Sequence, residues 1–430
     1  MDQVRLPTLF RDSPFPQNGL IEPLITYRPS TTLYEAGSKI VFNSSTDVLA
    51  AGFLMKWVIK PILILFTPIV LLAITIHFFA KKLFYNIDFK TYFAIYFVLG
   101  AGSIDRRSAE KNRSQLEGLT MTNHDSLKNL HTVAKSMLTE AKQDAEKIST
   151  AFNAIKHIEN SHTFSFEEIG IPGSCAMLDG FAVCNYKMSS VPYNEQKWII
   201  YYPGRSTCWE NSYSTIYQLS KLTGANVLAF NYRGVMRSGR KRLDNPESPQ
   251  EVSNSAEKLA EDAEAAVAHL LKMRVSKDRI LNYGYSLGGG VASTQTDMAI
   301  CSDRSFRSLD KVIQSFTWIP GVAFLASWIA QYCFGKINSY ENVKKIQENG
   351  HDAYICTSPQ DLIISSSHAS LHSAFQENSP ENTPPTLVIE HDDSKGSLFE
   401  KLKKRYIAHV ADTPDTLFFL IKPWLERVDA

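Results

Sequence analysis

Residues 279–292 read RILNYGYSLGGGVA. A short apolar run, 280–283, leads straight into Gly284-Tyr285-Ser286-Leu287-Gly288, and two more glycines and small residues follow. The spacing predicts a strand, a sharp turn and a helix, the context in which a G-x-S-x-G serine is presented as a nucleophile. A turn this tight holds its serine in a strained backbone conformation, so the neighbours must be small. Gly284 and Gly288 remove the Cβ atoms that would collide where strand and helix cross. The helix start aims free N–H groups at Ser286, where they can hold a developing oxyanion. The bland reading is a glycine-rich strand-to-helix turn without chemistry.

Working outward, the chain from Phe164 on alternates strands with helices. The apolar runs KWIIYY (197–202), NVLAFNY (226–232), KVIQSF (311–316), DAYIC (352–356) and TLVIE (386–390) read as strands. Residues 259–273 and 415–428 read as amphipathic helices, and 176–183 as a hairpin turned at Asp179-Gly180. The fold class this predicts is α/β, with a doubly wound, mostly parallel sheet.

Four stretches carry a resemblance: IIYYPGRST (199–207), LAFNYRGVMRSG (228–239), ILNYGYSLGGGVAS (280–293) and TSPQDLIIS (357–365). Together they resemble the α/β-hydrolase fold over about residues 164–428. The nearer resemblance, through the appended apolar N-terminal region, is to the branch holding the Chlamydia-type 43-kDa hydrolase-like proteins and the SidB-type secreted effectors. The resemblance implies roles for particular residues. Ser286 matches the nucleophile, and the backbone N–H of Leu287 matches one oxyanion donor. The second donor is expected at Arg205, in a loop reading Pro-Gly-Arg where many hydrolases have His-Gly. Asp361, beyond the strand DAYIC, matches the acid that orients the base. The order Ser, Asp, His then leaves two histidines. His409 precedes the closing helix and is the expected base. His391 directly follows TLVIE and is the alternative, although Asp392 and Asp393 favour its charged form. His368 and His372 read as helix residues.

The N-terminal third has a different texture. Residues 1–52 are a polar, proline-containing arm. Residues 53–102 are an apolar segment or helical hairpin, in which 62–80 holds no Asp, Glu, Lys or Arg over 19 residues. That length is near the ~20 residues that cross a bilayer core, and Lys56, Lys60, Lys81 and Lys82 bracket it. The segment reads as one membrane span or a hairpin dipping into one leaflet, with a buried hairpin as the bland reading; Pro61, Pro68 and His77 weaken the span. Residues 103–160 are polar, with Leu127, Leu130, Ala134, Met137, Ala141, Ile148, Ala151, Ile155 and Ile158 at helical spacing. This amphipathic region packs on the body or takes a protein partner. Residues 161–430 form the catalytic domain.

Composition narrows the chemistry. There are 45 basic and 44 acidic residues, so no charge excess calls for nucleic acid. The six cysteines show no metal spacing, and no organic cofactor or metal is expected. Cys175 and Cys184 would face each other across the expected hairpin, as a reduced pair. The first thirty residues lack a basic stretch followed by an apolar one, so no secretory signal peptide is expected. Arg233, Arg237, Arg240, Lys241 and Arg242 make a basic loop, read as a solvated face rather than a site for anionic headgroups. Residues 317–350 occupy the usual place of a cap and carry Trp318, Phe324, Leu325, Trp328, Ile329, Tyr332 and Phe334. They read equally as an apolar lid or as the ordinary helix behind the sheet. The expected activity is a membrane-associated serine hydrolase for lipid, acyl-glycerol or acyl-thioester bonds, acting as a secreted effector on the resemblance. A serine peptidase and a catalytically silent scaffold are the alternatives.

Overall fold

A computed structural model describes residues 104–120 and, with short interruptions, 162–389, then 414–429. Residues 1–103, most of 121–161 and 390–413 lie outside the described residues. The expectations for the arm, for the apolar segment and for most of the amphipathic stripe fall there. No helix among the described residues is long and apolar enough to cross a membrane.

The elements run α1 (Arg106–Thr120), β1 (His162–Gly170), β2 (Met177–Asn185), β3 (Trp198–Tyr202), α2 (Trp209–Thr223), β4 (Asn226–Phe230), α3 (Ala256–Lys272) and β5 (Ile280–Tyr285). Then come α4 (Leu287–Ala292), β6 (Ala299–Asp303), α5 (Leu309–Ser315), α6 (Pro320–Phe334), α7 (Ser339–Glu348), β7 (Ala353–Thr357), α8 (Leu371–Asn378), β8 (Thr386–Val388) and α9 (Pro414–Asp429). The eight strands form one sheet in the order β1-β2-β4-β3-β5-β6-β7-β8. The β1–β2 and β2–β4 pairs are antiparallel, and every later pair is parallel. This is the strand order of the α/β-hydrolase fold.

Strand composition follows from burial on both faces. WIIYY and NVLAF are buried at every position, as strands covered by helices on two sides must be. Alternate side chains of β3 serve the two layers. Ile199 and Tyr201 join Ile216 and Leu219 of α2 and Ile421 and Trp424 of α9. Trp198, Ile200 and Tyr202 join Leu259 and Ala263 of α3, Val343 and Ile346 of α7 and Phe375 of α8. Helix ends are fixed locally. Ser255 Oγ accepts from Lys258 N at the start of α3, and α2 stops at Gly224 in the left-handed region with φ 67°.

Two expected elements are corrected. Asp179-Gly180 is not a turn: both residues lie inside β2, and Gly180 sits opposite Glu167 on β1 and Phe230 on β4. A Cβ on Gly180 would come within 2.9 Å of Ile169 Cδ1, so the glycine serves close strand approach. The chain turns at residues 171–176, with Gly173 at φ 73°. Cys184 therefore lies opposite Thr163, not Cys175, and both thiols are free. KVIQSF is likewise not a strand, because residues 309–315 form α5. The sheet strand at this point is AICSD, β6, whose Ser302 and Asp303 are wholly buried.

Candidate active site

Ser286 links β5 to α4 at φ 53° and ψ −114°, backbone that non-glycine residues rarely adopt. Such strain costs on the order of 1–3 kcal/mol and persists only where the surroundings over-determine it. Here they do. Ser286 N–H donates to the Asp303 carbonyl at 2.9 Å, and its own carbonyl accepts from Gly289 N at 3.1 Å and Ser305 Oγ at 2.8 Å. The flanking glycines are required by contact. A Cβ on Gly284 would stand 2.3 Å from the Gly288 carbonyl oxygen, and one on Gly288 would stand 2.0 Å from that of Tyr202.

That last contact places the end of β3 against the start of α4. The following loop, 203–208, carries the expected donor Arg205. Gly204 sits against the residue before the serine, since a Cβ there would lie 2.7 Å from the Tyr285 ring and 3.2 Å from its carbonyl oxygen. Tyr232 Oη donates to the Pro203 carbonyl at 3.0 Å, and Ser206 adopts φ 63°. Leu287 is the first residue of α4, where a backbone N–H has no acceptor inside the helix.

Asp361 lies past β7, and its loop emerges at the same strand-end edge as Ser286 because β5, β6 and β7 run parallel. Its carboxylate is buried, and Oδ1 accepts from Ile363 N at 2.8 Å and Ile364 N at 2.9 Å. The Tyr285 phenol is raised above its ordinary pKa, first by burial, with the Asp361 charge among the further causes. His391 and His409 both lie outside the described residues. His368 and His372 stand just before and within α8.

Two buried charged neighbours of the elbow escaped the sequence reading. Asp303 and Arg304, both buried, pair side chain to side chain through two contacts of 2.8 Å. Tyr283 Oη donates to Asp303 Oδ2 at 2.7 Å, Arg304 N donates to the Cys356 carbonyl at 2.7 Å, and the Arg304 guanidinium lies 5.0 Å over the Tyr285 ring. Burial alone would raise the Asp303 pKa, but Arg304, Tyr283 and Cys356 outweigh it and hold the carboxyl ionised. The pair locks β5, β6 and β7 beneath the serine. With β6 unrecognised, the sequence offered no signal for it.

The solvated face expected for the basic loop is corrected at its centre, which is buried and paired with carboxylates rather than open to water or to an anion. Arg233 is fully buried and reaches Asp262 at 2.6 Å, Glu251 at 2.5 Å and Glu261 at 2.9 Å. Arg242 pairs with Asp244 at 2.9 Å on the surface. Among the described residues no His, Cys, Asp and Glu cluster could hold a metal ion.

A family model described as Chlamydia CHLPS protein (DUF818) matches residues 128–349, just over half of the 430. The match spans Arg205, Ser286 and Leu287 and ends before Asp361. No curated protein sequence matches the chain. Solved structures that resemble it include the Pyrococcus furiosus esterase Pf2001, with TM-score 0.41 and 16% identity over 62% of this chain and 91% of that one. An alpha-beta hydrolase from Vibrio vulnificus has TM-score 0.37 and 16% identity over 57% and 78%. Pyrococcus horikoshii acylaminoacyl peptidase has 0.40 and 12% over 63% and 41%. Strand order and elbow, not these likenesses, carry the fold.

Proposed function

The chain belongs to the Chlamydia CHLPS protein (DUF818) family, and from its Ser286 elbow we propose a membrane-associated serine hydrolase that cleaves ester bonds. The carrying observation is a serine held at φ 53° between two glycines that admit no side chain. A hydroxyl is a weak nucleophile at neutral pH and needs a base. In this reading His409, or His391 in its place, takes the Ser286 proton as Oγ attacks the ester carbonyl. Asp361 orients the imidazole and stabilises its charge. The N–H groups of Leu287 and Arg205 hold the oxyanion. The proton passes to the leaving alcohol or thiol, and water, deprotonated by the same base, then releases the acyl group and restores Ser286.

Lipid, acyl-glycerol or acyl-thioester substrates call for an apolar docking surface. Helix α6 contains no charged residue, and Phe324, Leu325, Trp328 and Tyr332 are exposed on it. Residues 53–102 would add a membrane anchor. The effector role extends the resemblance of the N-terminal region; recovery of a reporter fusion in host cytoplasm would test it.

The deciding experiment is labelling with a fluorophosphonate probe. We expect wild type to label and hydrolyse p-nitrophenyl esters, and Ser286→Ala to lose both, by roughly 10⁴-fold or more in turnover, while staying folded. A folded wild type that neither labels nor turns over leaves the catalytically silent scaffold.

A further inference from the structure

Helix α1 begins 56 positions before β1, outside the sheet domain, yet it inserts a charge into the body. Arg113 is only 6% exposed. Its Nη1 contacts Asp179 Oδ2 of β2 at 2.6 Å and lies 3.6 Å from Glu210 Oε1 of α2. Its guanidinium lies 4.9 Å from the Phe166 ring centre and 5.4 Å from that of Trp209. Both carboxylates are essentially without exposure.

Trp209 and Glu210 open α2 immediately after the loop 203–208. They fix its downstream end, as Pro203 and Gly204 fix the upstream one. Asn231, at the end of β4, ties them together: its Oδ1 accepts from Trp209 N at 2.9 Å, and its Nδ2 donates to Glu210 Oε2 at 2.9 Å. Glu210 Oε1 has no hydrogen bond among the described residues, so Arg113 is the cation facing it. Asn112 Nδ2 adds a bond to the Glu210 carbonyl at 3.0 Å.

We propose that Arg113 is a positioning residue for the oxyanion loop 203–208, through which the N-terminal helix sets the catalytic competence of Ser286. This rests on the serine-hydrolase reading above. Without Arg113, Asp179 and Glu210 would be two buried carboxylates facing each other with no cation between them. Burial, and then the charge of Asp179, already raises the Glu210 pKa. A buried charge stripped of its partner relaxes toward water or takes up a proton. Either response moves the first turn of α2 and with it the Arg205 N–H. An oxyanion donor acts only where it meets the developing charge, so the loss falls on the chemical step rather than on substrate binding.

The test uses the full chain. Arg113→Met combined with Asp179→Asn removes the cation and one carboxylate, leaving the net buried charge unchanged. We expect kcat for a p-nitrophenyl ester to fall at least tenfold, with KM within threefold of wild type, below the melting temperature. Leu116→Ala, on the same buried face of α1, is the comparator: it weakens packing and lowers Tm but leaves kcat within threefold. Glu210→Gln keeps Arg113 on Asp179 and cuts only the link to the loop. It is held to the same threshold and decides the matter where the double variant does not fold. A kcat loss below tenfold overturns the proposal, as does an equal loss in Leu116→Ala. A wild type that neither labels nor turns over fails the serine-hydrolase reading itself, and the proposal falls with it.

Discussion

Helices α6 and α7 follow one another between β6 and β7, and they obey opposite rules. In α7, Tyr340, Val343 and Ile346 are buried on the sheet, while Glu341, Lys345 and Glu348 face water. Asn338 caps it by accepting from Glu341 N at 3.3 Å. In α6 the buried stripe is Ser327, Ala330, Cys333 and Phe334, and the opposite face presents Phe324 at 71% exposure, Leu325, Trp328 and Tyr332. Trp328 and Tyr332 stack with centroids 5.8 Å apart, so the apolar face is continuous along the helix. The expected choice between a lid and an ordinary packed helix therefore divides within one segment. Helix α7 serves the fold, whereas α6 exposes an apolar face among the described residues, the kind of surface on which the proposed lipid docking would rest.

The largest effect should come from breaking the packed member. Ile346 is fully buried between α7 and the sheet. Ile346→Ala removes three carbons and leaves a cavity, and we expect a loss of about 2–5 kcal/mol in unfolding free energy by denaturant titration. A change below about 1 kcal/mol would mean that α7 is not the structural partner in this pair.

The same contrast explains what was legible in the sequence. The elbow could be read because tight backbone approach leaves a local mark: only glycine fits at 284 and 288, and nothing else in the chain has that spacing. Wholly apolar strands such as WIIYY were legible for a similar reason. β6 was not, because AICSD, of the same length, is polar at its end, and its burial is dictated by neighbours far away in sequence. The apolar alternation of KVIQSF then drew the strand assignment to what is α5. Asp179-Gly180 resembles a turn, but Gly180 answers Ile169 across the β1–β2 ladder and Asp179 answers Arg113 on α1. The Asp303–Arg304 pair and the Arg113 triad exist only once the chain has folded, so no spacing announces them. The choice between His391 and His409 turns on residues outside the described ones.

Acidity sharpens the comparison, because α6 has no titrating carboxyl, imidazole or amine while the packed body does. His162, at the start of β1, is 5% exposed and lies edge-on to Tyr217 with centroids 5.0 Å apart. Burial pushes its pKa down to about 4. A depressed histidine pKa means that the unfolded chain binds the proton more tightly. The associated stability is complete above about pH 6.5 and is lost as pH falls toward 4. The change amounts to roughly 3 kcal/mol over that window. We expect His162→Phe to flatten this part of the stability curve between pH 7 and pH 4. A slope unchanged in the variant would show that other groups set it.

The smallest effect on stability, and the most informative one, belongs to α6. Phe324→Ser with Trp328→Ser replaces two side chains that are 71% and 55% exposed. Exposed apolar groups contribute little to folding, so unfolding free energy should stay within about 0.5 kcal/mol of wild type. Docking on a lipid surface is different, because burying even part of each side chain is favourable by about 1 kcal/mol. Two such losses should lower hydrolysis of long-chain esters in vesicles by about tenfold or more, while a short soluble ester is turned over within twofold of wild type. Because α6 carries no charge, this deficit should not change with pH over the range in which His162 titrates. An equal loss on both substrates would place α6 in the structural class with α7. A drop of several kcal/mol in stability would show instead that the face is already covered within the folded protein, and the contrast between the two helices would disappear.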